Sequence, residues 1–191
     1  MPIKRWNIRQ ADDEAARHAA KALGLPPLAV RILAGRGFDT QEAIRRFLTG
    51  DCALTDPMAL RDMDRAVKRI RRAIAEGEKI AVYGDYDCDG ILSTVVLYSY
   101  LESAGADVCY YIPHRDREGY GLNREALQII RDDGVRLVIT VDNGITAVDE
   151  VAFAASIGID VVVTDHHKPR DMLPQAVAVV DPHRLDDESG C

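Results

Sequence analysis

From Lys79 onward, short apolar runs alternate with stretches of helical period. KIAVYG, DVCYYIP, VRLVITVD, IDVVVTD and AVAVVDP are rich in Val and Ile and alternate little between apolar and polar positions. That is the pattern of strands buried on both faces. Between them lie ILSTVVLYSYLESAG, NREALQIIRDDG and TAVDEVAFAASIG, whose apolar residues recur at helical spacing and whose ends carry Gly. Strands separated by single helices predict an α/β fold, a parallel β-sheet flanked by helices.

The residues before Lys79 read differently. ADDEAARHAAKA (11–22) predicts a short helix that Leu25-Pro26-Pro27 breaks, and PLAVRILAGRG a second that Gly35 and Gly37 end. Asp39-Thr40 caps a third, TQEAIRRFL. Asp56-Pro57 opens a longer helix, ended by Gly77. Its apolar stripe is Met63, Ala66, Val67, Ile70, Ala73 and Ile74, with Arg61, Arg65, Lys68, Arg69 and Arg72 off the stripe. The expected organisation is a helical N-terminal lead-in over 1–77 and an α/β domain over 78–191.

A chain of 191 residues with 47% apolar content has room for one α/β domain and a small helical subdomain. No apolar run approaches the roughly 18 residues of a membrane span, so no membrane partner is expected. The opening MPIKRWNIRQ lacks the apolar core of a secretory signal. Cys52, Cys88, Cys109 and Cys191 form no CxxC pair and read as reduced thiols of a cytoplasmic protein. The net charge of −7 argues at first against a nucleic-acid partner. Its distribution changes the picture: residues 1–80 carry 16 Lys/Arg against 11 Asp/Glu, and residues 81–191 carry 8 against 20. The acid is concentrated in the α/β part, either as a solvated surface or at a metal site.

In a parallel α/β sheet, ligands gather at the carboxyl ends of the strands. KIAVYG is followed by Asp85, Tyr86, Asp87, Cys88, Asp89 and Gly90; VRLVITV by Asp142, Asn143 and Gly144; IDVVVT by Asp165, His166 and His167. An Asp at any one such junction reads as a helix N-cap, and DNG alone as a turn. Three coincident loops on one rim mean something else. Five carboxylates there repel one another and demand a neutralising charge. Carboxylate oxygens with a single imidazole suit Mn²⁺ or Mg²⁺ better than zinc, and a carboxylate shared by two ions gives the two-metal arrangement of phosphoester hydrolysis. DxDG after a strand also suits haloacid-dehalogenase-type phosphatases, with Asp87 as nucleophile, and topoisomerase-primase modules, but neither accounts for Asp-His-His at a third strand end. Cys88, with no basic neighbour in sequence, reads as a small filler.

VYGDYDCDG (82–90), YIPHRDREGYGL (111–122), TVDNGI (140–145) and VVVTDHH (161–167) resemble the successive motifs of the DHH phosphoesterase superfamily. The likeness is nearest to its exonucleases specific for single-stranded DNA, and DPMALRDMDRAVKRI (56–70) and VVDPHR (179–184) extend it over nearly the whole chain. The resemblance implies a metal-dependent 5′→3′ exonuclease of DNA repair and recombination, with two Mn²⁺ or Mg²⁺ ions and single-stranded DNA as substrate. A helicase and a single-strand-binding protein are the partners it implies. By resemblance, Asp87, Asp89, Asp142 and His166 match metal-ligand positions, with Asp142 bridging, and Asp85 ligates or orients. His167 faces the scissile phosphate, and Asp165 holds an imidazole in its tautomer. Arg115 is expected on a phosphate. Tyr120 is expected either on a base or in packing, and Arg117 in solvent.

A fourth metal motif and further domains of the family pattern are not in this sequence, so the chain is expected to be a fragment with weak or no activity of its own. Other superfamily members, namely oligoribonucleases, cyclic-dinucleotide phosphodiesterases and pyrophosphatases, place a His where Tyr83 stands. A non-catalytic replication scaffold is the remaining alternative, and the intact Asp87, Asp89, Asp142 and His166 argue against it.

Overall fold

The computed structural model describes residues 13–50, 54–114 and 119–190. The chain divides into two compact units, Met1–Leu54 and Thr55–Cys191. In the first, helices α1 (Asp13–Leu23), α2 (Pro27–Gly35) and α3 (Gln41–Thr49) bury Ala16, Ala20, Val30, Leu33 and Ile44 against one another. Pro27 takes the first position of α2, where its missing N–H costs nothing. The Thr40 hydroxyl accepts from the Ala43 amide at 3.1 Å and starts α3 as the sequence predicts.

The second unit is the α/β domain. Helix α4 (Met63–Glu76) leads into β1 (Lys79–Tyr83), α5 (Cys88–Ser103), β2 (Val108–Tyr111), α6 (Arg124–Asp132), β3 (Val135–Val141), α7 (Val148–Ser156), β4 (Asp160–Thr164) and β5 (Ala178–Val180). All pairings are parallel and the strand order is β2-β1-β3-β4-β5. The strands alternate their side chains between two helical layers, as the period of two requires. Ala81, Tyr83, Val138, Val161 and Val163 face α6 and α7. Ile80, Val82, Leu137, Ile139 and Val162 face α4 and α5. Burial on both faces explains why the strands read as continuous apolar runs.

The region before β1 differs from the sequence reading in three respects. The long helix does not begin at Asp56. Asp56 caps a single 3₁₀ turn, Pro57–Ala59, through the Met58 amide at 2.9 Å, and the chain turns at Asp62, whose φ is 63°. The Asp62 carboxylate is engaged instead by Arg184 Nη1 at 2.9 Å and the Val179 amide at 3.3 Å. Arg69, placed off the apolar stripe, is only 6% exposed. It donates through Nε to Asp160 and through Nη2 to Glu78, both at 2.6 Å, so a charged residue is buried because two carboxylates meet it. Finally, the expected domain break at 77/78 falls inside the second unit. Ala66 and Ala73 of α4 are buried with Ile80 and Leu101, so α4 is a layer of the sheet domain and the break between units follows Leu54.

Candidate metal centre

The strand order reverses between β1 and β3, so their following loops diverge and leave a crevice at the carboxyl ends. Asn143 spans it: its side-chain amide, 1% exposed, donates to the carbonyls of Tyr83 on β1 and Val141 on β3 at 3.2 and 3.0 Å. Asp142 beside it adopts a left-handed φ of 62°, an uncommon conformation that Asp tolerates better than most residues. Its carboxylate turns toward β4, where His166 Nε2 stands 2.7 Å from Oδ1 and His167 Nδ1 4.0 Å from it.

The β4 loop is organised by Asp165. Its Oδ1 accepts from the backbone amides of His166 (2.7 Å) and His167 (3.1 Å), and Oδ2 from the Ile145 amide of the β3 loop (2.9 Å). His167 Nδ1 lies 2.7 Å from the same Oδ1. An ionised carboxylate only accepts, so Nδ1 carries the proton and Nε2 is the edge left for chemistry. The hydrogen bond to Asp165 pushes His167 above its usual range, against the opposing effect of burial.

The β1 loop is pressed against the first turn of α5. A Cβ on Gly90 would lie 2.6 Å from the Asp85 backbone N and O, and one on Gly84 2.0 Å from Thr94 Oγ1. Glycine at both positions lets strand end and helix start touch. Asp87 is the N-cap of α5, its Oδ1 accepting from the Gly90 amide at 2.9 Å. Asp85 is fully buried. Beyond the approach of the Tyr86 amide, neither carboxylate oxygen has a hydrogen-bond partner. Burial pushes Asp85 above the carboxylate range, and Asp87 and Asp142 add to it. Burial also raises Asp142; the His166 hydrogen bond opposes this and Asp87 reinforces it.

The structure thus brings Asp142, His166 and His167 together, with one potential ligand atom from each lying within 4.8 Å of the others. Asp89 lines the same cavity of about 450 Å³ as Asp142, Asp165 and His166. Asp85 and Asp87 are electrostatic neighbours of Asp142 outside that three-residue cluster. Arg115 and Arg117 lie outside the described residues. Tyr120 meets the site directly: its hydroxyl donates to the Asp142 carbonyl at 3.0 Å and stands 3.5 Å from His167 Nδ1.

The donor set fits a divalent cation. Cis ligands on an octahedral ion with bonds near 2.1 Å stand about 3 Å apart, close to the 2.7 Å between His166 Nε2 and Asp142 Oδ1. Carboxylate oxygens are hard donors suited to Mn²⁺ or Mg²⁺, and a single imidazole among them does not shift the set toward zinc. The buried, unpartnered oxygens of Asp85 add negative charge that a cation would offset.

Asp181 is the residue that the sequence reading did not single out for the rim. It follows β5, is fully buried, and accepts from the His183 amide through Oδ1 at 2.6 Å while Oδ2 has no partner. Asp165 and His166 are among its electrostatic neighbours. AVAVVD repeats the strand-then-Asp pattern of the other three loops, so the signal was present.

The family model described as "DHH family, N-terminal domain" matches residues 79–191. The chain is similar to the Single-stranded-DNA-specific exonuclease RecJ of Bacillus subtilis (strain 168), at 44% identity over 93% of this chain and 23% of that protein. It is also similar to RecJ of Escherichia coli (strain K12), at 37% identity over 93% of this chain and 30% of that one. Among solved structures, RecJ in complex with Mn²⁺ from Thermus thermophilus superposes with a TM-score of 0.66 at 29% identity, over 96% of this chain and 26% of the other. An exonuclease RecJ bound to manganese gives 0.62 at 38% identity, over 67% and 33%. The chain spans about a quarter to a third of the length of these relatives. With the motifs at the ends of β1, β3 and β4 and the family match over all five strands, the chain belongs to the DHH family.

Proposed function

We propose that this chain carries the metal-holding half of a phosphodiester hydrolase acting on single-stranded DNA, in the 5′→3′ direction and in DNA repair and recombination. The observation that supports it most is the meeting of Asp142 with His166 at 2.7 Å, across the loops that follow β3 and β4 at the carboxyl edge of the sheet. Asp142, His166, Asp87 and Asp89 are the proposed ligands, with Asp85 orienting them, for one Mn²⁺ or Mg²⁺ ion or for two sharing Asp142. Bound there, the metal supplies a water nucleophile active near neutral pH and positive charge against the phosphate.

The remaining chemistry belongs to the chain's own residues. Asp165 fixes the Nδ1–H tautomer of His167, and the raised pKa of His167 favours its protonated form, so Nε2–H donates to a phosphate oxygen as charge develops. Arg115 is proposed on a phosphate of the strand. Cytoplasmic action beside a helicase and a single-strand-binding protein belongs to the same proposal. No helix among the described residues is long and apolar enough to cross a membrane.

Calorimetry with Mn²⁺ on the chain and on Asp142→Ala tests the reading. Binding by the chain, weakened at least tenfold in the variant, is expected. No Mn²⁺ binding would favour a non-catalytic scaffold, and turnover of dinucleotides without longer strands would favour another phosphohydrolase of the family. Weak or no digestion of 5′-phosphorylated single-stranded DNA is expected of the 191-residue chain; vigorous digestion would refute that expectation.

A further inference from the structure

The loop between β2 and α6 ends in a short tongue, Gly119-Tyr120-Gly121, whose two glycines both have φ of 78°. A left-handed residue on each side of a tyrosine aims that one side chain sharply away from the chain path, and only glycine adopts it without strain. The tongue is pinned from below. The buried Tyr83 hydroxyl donates to the Gly121 carbonyl at 3.1 Å and accepts from Asn123 Nδ2 at 3.2 Å. From that base Tyr120 reaches over the site, its ring edge-on to Tyr86 of the β1 loop (6.5 Å) and to His167 of the β4 loop (6.0 Å). Its hydroxyl donates to the Asp142 carbonyl of the β3 loop.

One side chain therefore touches all three acidic loops. The contact with Asp142 is the informative one. The carbonyl it holds belongs to the residue with a left-handed φ of 62°, and that backbone turn is what directs the Asp142 carboxylate at His166. The hydroxyl proton is committed to that carbonyl and Nδ1–H to Asp165, so the 3.5 Å approach of oxygen to His167 Nδ1 is a weak second acceptor for the same N–H.

We propose that Tyr120 is a positioning residue acting through its hydroxyl, latching the Asp142 turn and the His167 ring in the geometry that receives the metal, independently of any stacking of its ring on a base. The proposal rests on the metal reading above. Its test separates the two, because part of it is read without metal.

Tyr120→Phe keeps the ring and removes the latch; Tyr120→Ala removes both. The half-exposed position (52%) makes a folding defect in the Phe variant unexpected, and equal melting temperatures would establish that. In metal-free protein, the amides of Gly144 and Ile145 are expected to exchange faster in Tyr120→Phe, and the His167 imidazole ¹⁵N resonances to shift. Calorimetry with Mn²⁺ is expected to show affinity lowered roughly fivefold to tenfold, the worth of one hydrogen bond. Unchanged amide exchange and His167 resonances in Tyr120→Phe overturn the proposal whether or not Mn²⁺ binds. A Phe variant like the parent combined with weaker oligo-dT binding by the Ala variant overturns it in favour of base stacking. Absence of Mn²⁺ binding in the parent, with the metal-free changes present, sinks the metal reading and leaves the latch standing.

Discussion

Gly90→Ala sets two opposing magnitudes against each other. Gly90 lies in the first turn of α5, and its φ is not left-handed, so the alanine backbone is allowed. In a free helix the change gains about 0.5–1 kcal/mol. Here the new methyl carbon would stand 2.6 Å from the Asp85 backbone N and O and 2.7 Å from its Cβ. Backbone atoms have no rotamer in which to escape, so the strand end and the helix must part. Overpacking of that kind costs about 1–3 kcal/mol, and the upper part of that range applies where backbone rather than side chain must move. The variant is therefore expected to be destabilised by about 1–2 kcal/mol after the helix gain is subtracted. Urea unfolding followed by far-UV circular dichroism measures it. Because Asp85 and Asp87 sit in the loop that must move, Mn²⁺ affinity should fall with it. A variant as stable as the parent, with unchanged Mn²⁺ binding, would refute the close-contact argument.

Two further outcomes follow from buried charge. Arg69→Ala leaves Asp160 and Glu78 without their shared partner; since Asp160 is 43% exposed at its side chain, the loss is expected at about 2–3 kcal/mol, below that of a fully buried pair, and thermal unfolding against the parent checks it. Asp181 is raised by burial, with Asp165 adding and the His183 amide opposing. A carboxyl raised in the fold stabilises below its ordinary value of 3.8 and loses that contribution as pH rises through its folded value. Asp181→Asn should therefore gain on the parent in unfolding free energy as pH rises above about 4, and a difference that stays constant through that rise would sink the assignment.

The sheet was legible because its strands are buried on both faces. Val161, Val162 and Val163 serve opposite layers in alternation, so no polar position interrupts the run and the parallel architecture shows in composition alone. The rim was legible for the same topological reason: an Asp after each of three parallel strands must arrive at one edge. What misled was local. Arg69 sits where helical periodicity places solvent, and only the distant Asp160 and the neighbouring Glu78 make its burial tolerable; no window of sequence contains that pairing. Asp56-Pro57 has the composition of a helix start, yet Asp62, just beyond the 3₁₀ turn, is claimed by Arg184, 122 positions away. The ring of Tyr120 packs edge-on against Tyr86 and His167, one of its two expected roles, while the bond from its hydroxyl to the Asp142 carbonyl was not foreseen. The glycines around it, visible in the sequence, were the clue to a side chain aimed by its backbone.

The left-handed turn at Asp142 shows why this site stands where it does. A strand that ended in an ordinary turn would carry its aspartate onward as the cap of the next helix, which is what Asp87 does for α5. Asp142 is not a cap: α7 begins well beyond it, at Val148, with no side-chain cap. Its carboxylate is instead turned toward the β4 loop and His166, in an uncommon backbone conformation that several groups jointly stabilise. Asn143 ties the turn to β1 and β3, Asp165 holds the Ile145 amide, and Tyr120 holds the Asp142 carbonyl. Strain of this order, about 1–3 kcal/mol, together with a carboxylate raised by burial and by Asp87, gives a structural turn no advantage. It becomes intelligible under the proposed function, in which the carboxylate and the imidazole, 2.7 Å apart, would hold one cation side by side, and the acid collected at the carboxyl edge of this sheet would serve that cation.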